Sequence, residues 1–304
     1  MTEKCNLNCF YCHREGVYGE YADGNEELNK DILTECIKIM IKCGIMKVKF
    51  MGGEPTVYHG LSDIIRELKS ESPQVGISVI TNGSVSGSIF DEYIKAGIDR
   101  INISLHGFIP SVFSQVTNGT EKQLKKTLDN IEYLNTRKIL GKVNYVLLKG
   151  KNEEEFWQVM NYIQKKNLVL DILNYLGTDE EELLRYYYSF DEIMNLVNSR
   201  YKIQSVEEKI NQYSINSLRV KLEGGGSLNL KVNQLNRYEF LKSCSKCEKR
   251  IYCREGIAAI RLTNRGIIKP CLFREDNCFD LVGYLKNHSF DAVYSAVNEY
   301  LNNL

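Results

Sequence analysis

Three cysteines open the chain at a spacing that suits iron chemistry: Cys5-Asn-Leu-Asn-Cys9-Phe-Tyr-Cys12, or C-x3-C-x2-C. Three thiolates on a short loop can bind three irons of a cubane 4Fe–4S cluster and leave the fourth iron without a protein ligand. An open metal position is a place for chemistry, whereas a position closed by protein ligands is structural. The alternative is a structural zinc site, but a matching fourth ligand is not evident nearby. A second group, Cys244, Cys247, Cys253 and Cys271, starts C-x2-C-x5-C. Four thiolates suit a second iron–sulfur cluster of the 4Fe–4S type, or zinc. Cys278 reads as a bystander of that group, and Cys36 and Cys43 as ordinary core or helix-surface cysteines. A disulfide scaffold fits poorly, because 304 residues that are 43% hydrophobic can bury a core without such staples.

Met51-Gly52-Gly53-Glu54-Pro55 follows an apolar run. Its glycines would let backbone approach a ligand closely, and the Glu54 carboxylate can accept from an ammonium group. Thr81 and Ser104 end the next two apolar runs. They read either as plain strand-end caps or as ligand contacts, and the C-terminal ends of barrel strands are where sites collect.

The elements that must position these residues are legible as alternation. Val48–Met51, Ile77–Thr81, Ile101–Leu105, Val143–Leu148 and Val169–Tyr175 read as buried strands. Lys30–Cys43, Ser62–Ser70, Ile89–Ala96, Glu121–Thr136 and Glu153–Lys166 read as amphipathic helices between them. The fold class is therefore α/β, with parallel strands under covering helices and an open or partial barrel favoured over a flat sheet. Only Met1–Lys4 precede Cys5. Either the fold starts without its first strand or the chain is truncated there, and an open edge at that place would be a liability. Residues 1–177 are expected to form the core and residues 178–242 a connector. In that connector Glu180–Glu182 and Arg185–Tyr188 read as helical, and Leu218–Leu222 with Leu228–Val232 as a hairpin turning on Gly224–Gly226. Residues 243–304 would form a small C-terminal region around the second cysteine group. There Ala258–Thr263 and Ile267–Pro270 read as a hairpin and Phe290–Leu301 as a helix.

Composition excludes other classes. Lys+Arg and Asp+Glu are 39 each, so the basic excess of a nucleic-acid binder is missing. No apolar run approaches the ~18–20 residues of a membrane span. No secretory signal precedes the cysteine motif. A cytoplasmic protein with no membrane or nucleic-acid partner is the expectation.

The first motif resembles the signature of the radical S-adenosylmethionine (SAM) superfamily. The resemblance implies that Cys5, Cys9 and Cys12 hold a 4Fe–4S cluster whose open iron chelates SAM. It implies reductive cleavage of SAM to methionine and a 5′-deoxyadenosyl radical, with electrons from a reducing donor. Tyr11, Gly52, Gly53, Glu54, Thr81 and Ser104 match positions that contact the cofactor. The fold so implied is a partial (β/α)6 barrel with a small C-terminal auxiliary-cluster region. Over most of the chain the sequence is similar to the MoaA family, the GTP 3′,8-cyclases of molybdenum cofactor synthesis, in its archaeal-type form. Cys5–Gly16, Asn102-Ile-Ser104-Leu, Lys142-Val-Asn144, Lys149-Gly150, Arg261-Leu-Thr263 and Pro270-Cys271-Leu272 carry the likeness. By that likeness Lys142 would meet the triphosphate of GTP and Arg261 the substrate.

The chain also departs from that family. Cys253 is extra, Cys247 and Cys271 lie further apart, and Ala259 stands where the family has a second arginine. The family's C-terminal Gly-Gly is replaced by an ending in Tyr300-Leu-Asn-Asn-Leu304. If Cys253 ligates, the auxiliary cluster is closed and cannot bind guanine. The second expectation is thus a related enzyme with a SPASM- or twitch-like auxiliary region, modifying a peptide, sugar or other nucleotide. The third is a non-catalytic iron–sulfur protein. Sequence does not fix the oligomeric state or the electron donor.

Overall fold

The computed structural model describes residues 1–12, 27–176, 180–210, 216–232, 244, 247, 259–271 and 274–304. The first half alternates as its periodicities predict. Its elements are α1 (Lys30–Lys42), β1 (Lys47–Phe50), α2 (Leu61–Glu71), β2 (Gly76–Thr81), α3 (Ser88–Lys95) and β3 (Arg100–Ser104). Next come α4 (Pro110–Thr117), α5 (Glu121–Thr136), β4 (Leu140–Val146), α6 (Phe156–Lys165) and β5 (Val169–Leu173). Local chemistry fixes the helix starts. The Asn29 side chain accepts from the N–H groups of Asp31 and Ile32 to cap α1, and Thr120 with Gln123 forms a capping box on α5. Helix α4 escaped the pattern reading because its eight residues are too few to show a period.

Beyond residue 177 lie α7 (Glu180–Tyr186), α8 (Phe190–Arg200), β6 (Ile203–Lys209), β7 (Ser217–Leu222) and β8 (Ser227–Lys231). The hairpin expected in a connector is β7–β8, and it belongs to the core. Strand β8 lies parallel beside β5, with Leu170 opposite Leu228. The large sheet runs β1-β2-β3-β4-β5-β8-β7-β6, parallel from β1 to β8 and antiparallel thereafter. The turn between β7 and β8 uses Gly224, Gly225 and Gly226, all at positive φ, a region that residues with a Cβ avoid.

Register sorts the side chains of this sheet. One face carries the row Thr81, Ile103, Val143, Leu170, Leu228 and Val220. All of these are buried, most beneath α2, α3, α5, α6 and α8 in one hydrophobic cluster. The neighbouring positions, facing the other way, are polar: Lys49, Ser78, Arg100, Asn102, Lys142, Asn144, Asp171, Asn229 and Arg219. A strand's two-residue period thus separates an oily outer face from a charged inner one.

The C-terminal part holds β9 (Arg261–Leu262), β10 (Ile267–Lys269), β11 (Phe279–Asp280), α9 (Leu281–Leu285) and α10 (Phe290–Asn302). Its three strands form a second sheet in the order β11-β10-β9. Ile268, Leu281, Val293 and Val297 pack with Cys36 and Ile39 of α1 in a separate cluster. Cys36 is therefore a core cysteine, as expected. Ala258, the expected start of the hairpin, lies outside the described residues.

Membership of β8 in the core makes a prediction. Leu228→Ala should cost about 2–5 kcal/mol, as deletion of a large buried side chain does. Denaturant unfolding should stay a single transition, whereas an independent connector would unfold in a separate step.

Candidate functional site

The cysteine loop is held at the C-terminal ends of the parallel strands. The Asn8 N–H donates to Thr117 O (2.9 Å) and the Phe10 N–H to Val116 O (3.1 Å), pinning the loop to the end of α4. Leu7 anchors it in the core. The Asn82 side-chain amide donates to Asn6 Oδ1 (2.8 Å) and lies 3.9 Å from Cys5 Sγ. The charges of Cys5, Cys9 and Cys12 act on one another. Burial, then Cys12 and Cys5, push the Cys9 thiol up to about 12. Burial likewise raises Cys5. Such thiols are protonated near neutral pH, so metal binding must displace their protons.

Among the described residues no three His, Cys, Asp or Glu side chains converge on a single-ion site. A tetrahedral zinc centre draws its thiolates to within about 2.3 Å of one ion. Three thiolates that each take a different iron of a cubane need no such common point.

Glu54 is only 1% exposed and heavily engaged. Its Oε1 accepts from the Thr56 N–H (3.1 Å), Thr56 Oγ1 (2.7 Å) and Thr81 Oγ1 (2.6 Å). Its Oε2 accepts from the Asn82 N–H at 2.8 Å. Burial raises its pKa, and these hydrogen bonds oppose the rise. Each carboxylate oxygen offers about two acceptor positions, and Oε2 accepts one of these hydrogen bonds, so it retains one for a cationic group such as an ammonium. Thr81 therefore serves Glu54 directly. Ser104 ends β3 opposite Asn144.

The two glycines before Glu54 have a reason within the chain itself. A Cβ on Gly52 would stand 2.5 Å from Thr2 O, and one on Gly53 2.3 Å from Lys4 O. The Gly53 and Glu54 N–H groups donate to Thr2 O (2.6 Å) and Lys4 O (2.8 Å). The chain's own residues 2–4 thus require bare backbone here.

Tyr11 hydrogen-bonds through its hydroxyl to Nδ1 of His106, just past β3. Burial brings His106 down to about 4, so it is neutral near pH 7. Asn6, Asn82 and His106 were not singled out by spacing. Their signal was present only as polar residues inside or next to motifs that were.

The inner face of the sheet continues from this loop. Lys142 pairs with Asp171, which also accepts from Asn229. Burial first, then repulsion from Lys49, Lys209, Lys231 and Arg100, bring Lys142 down to about 8 even with Asp171 beside it. Asn102 Oδ1 on the same face is buried with no hydrogen-bond partner among the described residues. Arg261 lies apart, in the small sheet, where its Nε is buried without a partner among the described residues and Nη1 donates to Ala259 O at 3.4 Å. The small sheet itself is tied to the start of the cysteine loop: the Asn264 amide donates to Glu3 Oε1 (2.9 Å), and the Leu28 N–H to Asn264 O (3.1 Å). Of the second cysteine group, the Cys247 N–H donates to Cys244 O (3.1 Å). The charges of Cys247 and Cys271 act on Arg274. Cys253 lies outside the described residues.

Residues 1–163 match the family model of the Radical SAM superfamily. With over half of the chain matched, the protein belongs to that superfamily: it is a radical SAM enzyme, whose cofactors are SAM and an iron–sulfur cluster. Its relatives narrow the class. The chain is 29% identical over 293 residues to a protein of Methanococcus aeolicus named "Probable GTP 3′,8-cyclase", covering 94% of this chain and 88% of that one. A protein of the same name from Pyrococcus abyssi is 28% identical over 293 residues, covering 96% and 89%. Among solved structures, Streptococcus suis SuiB bound to S-adenosylmethionine superposes with a TM-score of 0.62 at 13% identity, over 98% of this chain and 66% of SuiB. That likeness is one of fold. Among the described residues no helix is long and apolar enough to cross a membrane.

The buried thiols predict a pH dependence. With a pKa near 12, Cys9 is almost wholly in its unreactive thiol form at pH 7. In the iron-free chain, its alkylation by iodoacetamide should be slow and should rise about tenfold per pH unit across the range below that value. Peptide mapping by mass spectrometry reads the rate; a rate level between pH 7 and 9 would contradict it.

Proposed function

We propose that the enzyme acts on a nucleoside triphosphate, as a GTP 3′,8-cyclase of molybdenum cofactor synthesis. The observation that carries this reading is the gathering of Lys49, Arg100, Lys142, Lys209 and Lys231 near enough for four of them to depress the fifth. So many cations on one face repel one another, and a polyphosphate is an anion that would offset that repulsion. The near full-length similarity to proteins named as probable GTP 3′,8-cyclases supports it.

In this reading Cys5, Cys9 and Cys12 ligate the 4Fe–4S cluster, and the bound cofactors supply one-electron cleavage of SAM and hydrogen abstraction from substrate. Glu54 Oε2 holds the SAM ammonium, while Thr81 and the Asn82 N–H fix the carboxylate for that contact. Tyr11 and Ser104 line the cofactor, and His106 orients the Tyr11 ring. Gly52 and Gly53 let residues 2–4 seat the cysteine loop. Lys142 and its cationic neighbours hold the triphosphate, the orphaned Asn102 carbonyl receives a substrate donor, and Arg261 approaches from the small sheet. Cys244, Cys247 and Cys271, with Cys253 of the same sequence group, ligate an auxiliary iron–sulfur cluster. An external donor supplies the electron, and the protein works in the cytoplasm.

One observation favours a second reading, a substrate of lower charge such as a peptide, a sugar or another nucleotide. Lys142 already has an anionic partner in Asp171. A triphosphate would have to share or displace that carboxylate.

Two experiments decide. Anaerobically reconstituted protein with dithionite should release 5′-deoxyadenosine from SAM, and GTP should raise the yield several-fold. No release ends the catalytic assignment, and release indifferent to GTP favours the second reading. Because Lys142 loses its charge as pH rises through about 8, GTP affinity measured by calorimetry should fall between pH 7 and 9. Lys142→Arg, charged throughout, should abolish that fall.

A further inference from the structure

Glu54 shares the C-terminal ends of the strands with a second buried acid. Glu155, 0% exposed, is the N-cap of α6 in the segment that follows β4. Its Oε2 accepts from the Phe108 N–H (2.7 Å) and the Ile109 N–H (2.8 Å), and its Oε1 from the Tyr145 hydroxyl (2.9 Å). Burial raises its pKa, and these three bonds oppose the rise. A carboxylate out of water is costly unless its oxygens are satisfied, so the bonds fix where Phe108 and Ile109 can lie. The segment that carries Glu155 is itself held. The Asn152 side chain, 1% exposed, accepts from the Leu148 N–H and donates to Val146 O, both at 2.8 Å.

Phe108 and Ile109 lead into α4, and Ile109 is its N-cap. A negative charge beside a helix N-terminus is favourable. With eight residues, α4 is a strut roughly 12 Å long. Its far end presents Val116 O and Thr117 O to the Phe10 and Asn8 N–H groups of the cysteine loop. Glu155 thus holds one end of a short helix whose other end carries the loop. The segment between β3 and α4 has no slack, because a Cβ on Gly107 would stand 2.6 Å from Phe113 Cα. Two more contacts run from the same segments to the loop. His106, two residues before Phe108, hydrogen-bonds the Tyr11 hydroxyl. Lys151, four residues before Glu155, sets its Nζ 5.3 Å from the centre of the Phe10 ring. Phe10 and Tyr11 are the residues between Cys9 and Cys12.

We propose that Glu155 is a positioning residue of the first iron–sulfur site: by fixing the start of α4 and the segment that carries His106, it sets where Phe10 and Tyr11, and with them the Cys9 and Cys12 thiols, stand. The assignment rests on the ligand roles proposed above for Cys5, Cys9 and Cys12. The role is one of geometry rather than charge, so a glutamine can fill it. Its carbonyl oxygen can accept both backbone N–H groups while its NH2 donates to the Tyr145 oxygen. The Tyr145 hydroxyl then donates to Asn152 O, already 3.1 Å away.

The first test needs no iron. In the iron-free full chain, iodoacetamide should label Cys9 several-fold faster in Glu155→Ala than in the parent, read by peptide mass spectrometry. Cys36, in the separate core cluster against α1, should stay as slow as before. Glu155→Gln should label at the parent rate. Glu155→Asp keeps the charge but stands one methylene short of the Phe108 and Ile109 N–H groups, and it should release Cys9 to a lesser degree. Cys9 at the parent rate in both the Ala and Asp variants overturns the assignment. So does Cys36 speeding up along with Cys9 in both, which marks loss of the whole fold, and so does a Gln variant as fast as the Ala variant. The second test uses reconstituted, reduced protein, in which SAM at an open iron changes the electron paramagnetic resonance spectrum of the cluster. The SAM concentration for half of that change should rise several-fold in Glu155→Ala and stay near the parent value in Glu155→Gln; an equal value in all three overturns the assignment. A parent spectrum indifferent to SAM overturns the ligand roles of the three cysteines, and Cys9 labelling then still decides for or against Glu155.

Discussion

A buried carboxylate without partners is among the costliest groups a fold can contain. Glu54 avoids that cost through four hydrogen bonds, and these bonds determine where several segments must lie. Thr56 comes from the turn that Glu54 itself begins. Thr81 and the Asn82 N–H come from the end of the neighbouring strand. The Asn82 side chain then reaches Asn6 and the sulfur of Cys5. One acid thus couples the ends of β1 and β2 to the cysteine loop. The sheet below holds this arrangement through a helix-covered face that is buried from Thr81 across to Val220.

The other face of the same sheet is built on the opposite principle. Cations gathered on one face repel one another, and nothing in hydrophobic packing calls for them there. Burial and that repulsion together lower the pKa of Lys142 even with Asp171 beside it. In the proposed function a negatively charged substrate would offset this repulsion. The balance between Asp171 and its cationic neighbours therefore bears on substrate choice more directly than the fold does, since one fold serves many substrates.

The C-terminal sheet is anchored on two sides. Its apolar residues pack on α1, while Asn264 reaches Glu3 at the start of the cysteine loop. A region attached in both ways is placed as a unit relative to the first cluster site. The small sheet thus meets the start of the cysteine loop through structure rather than through sequence proximity.

The sequence by itself determined the cysteine spacing of the first site, the strand–helix alternation and the starts of helices such as α5. These depend on residues close together in the chain, and their periodicities are written locally. Tertiary structure alone decided the rest. That β8 lies beside β5 is not legible locally, because any strand of like alternation could occupy that edge. The partners of Glu54 come from as far as Asn82, and Gly52 and Gly53 are bare because residues 2–4 press against them. The ion pair of Lys142 with Asp171 joins two strands separated by helix α6. Arg261 faces Lys269 only once the short strands β9 and β10 are in register. Each of these is a contact between distant segments, and its partner is chosen by packing after the local elements have formed.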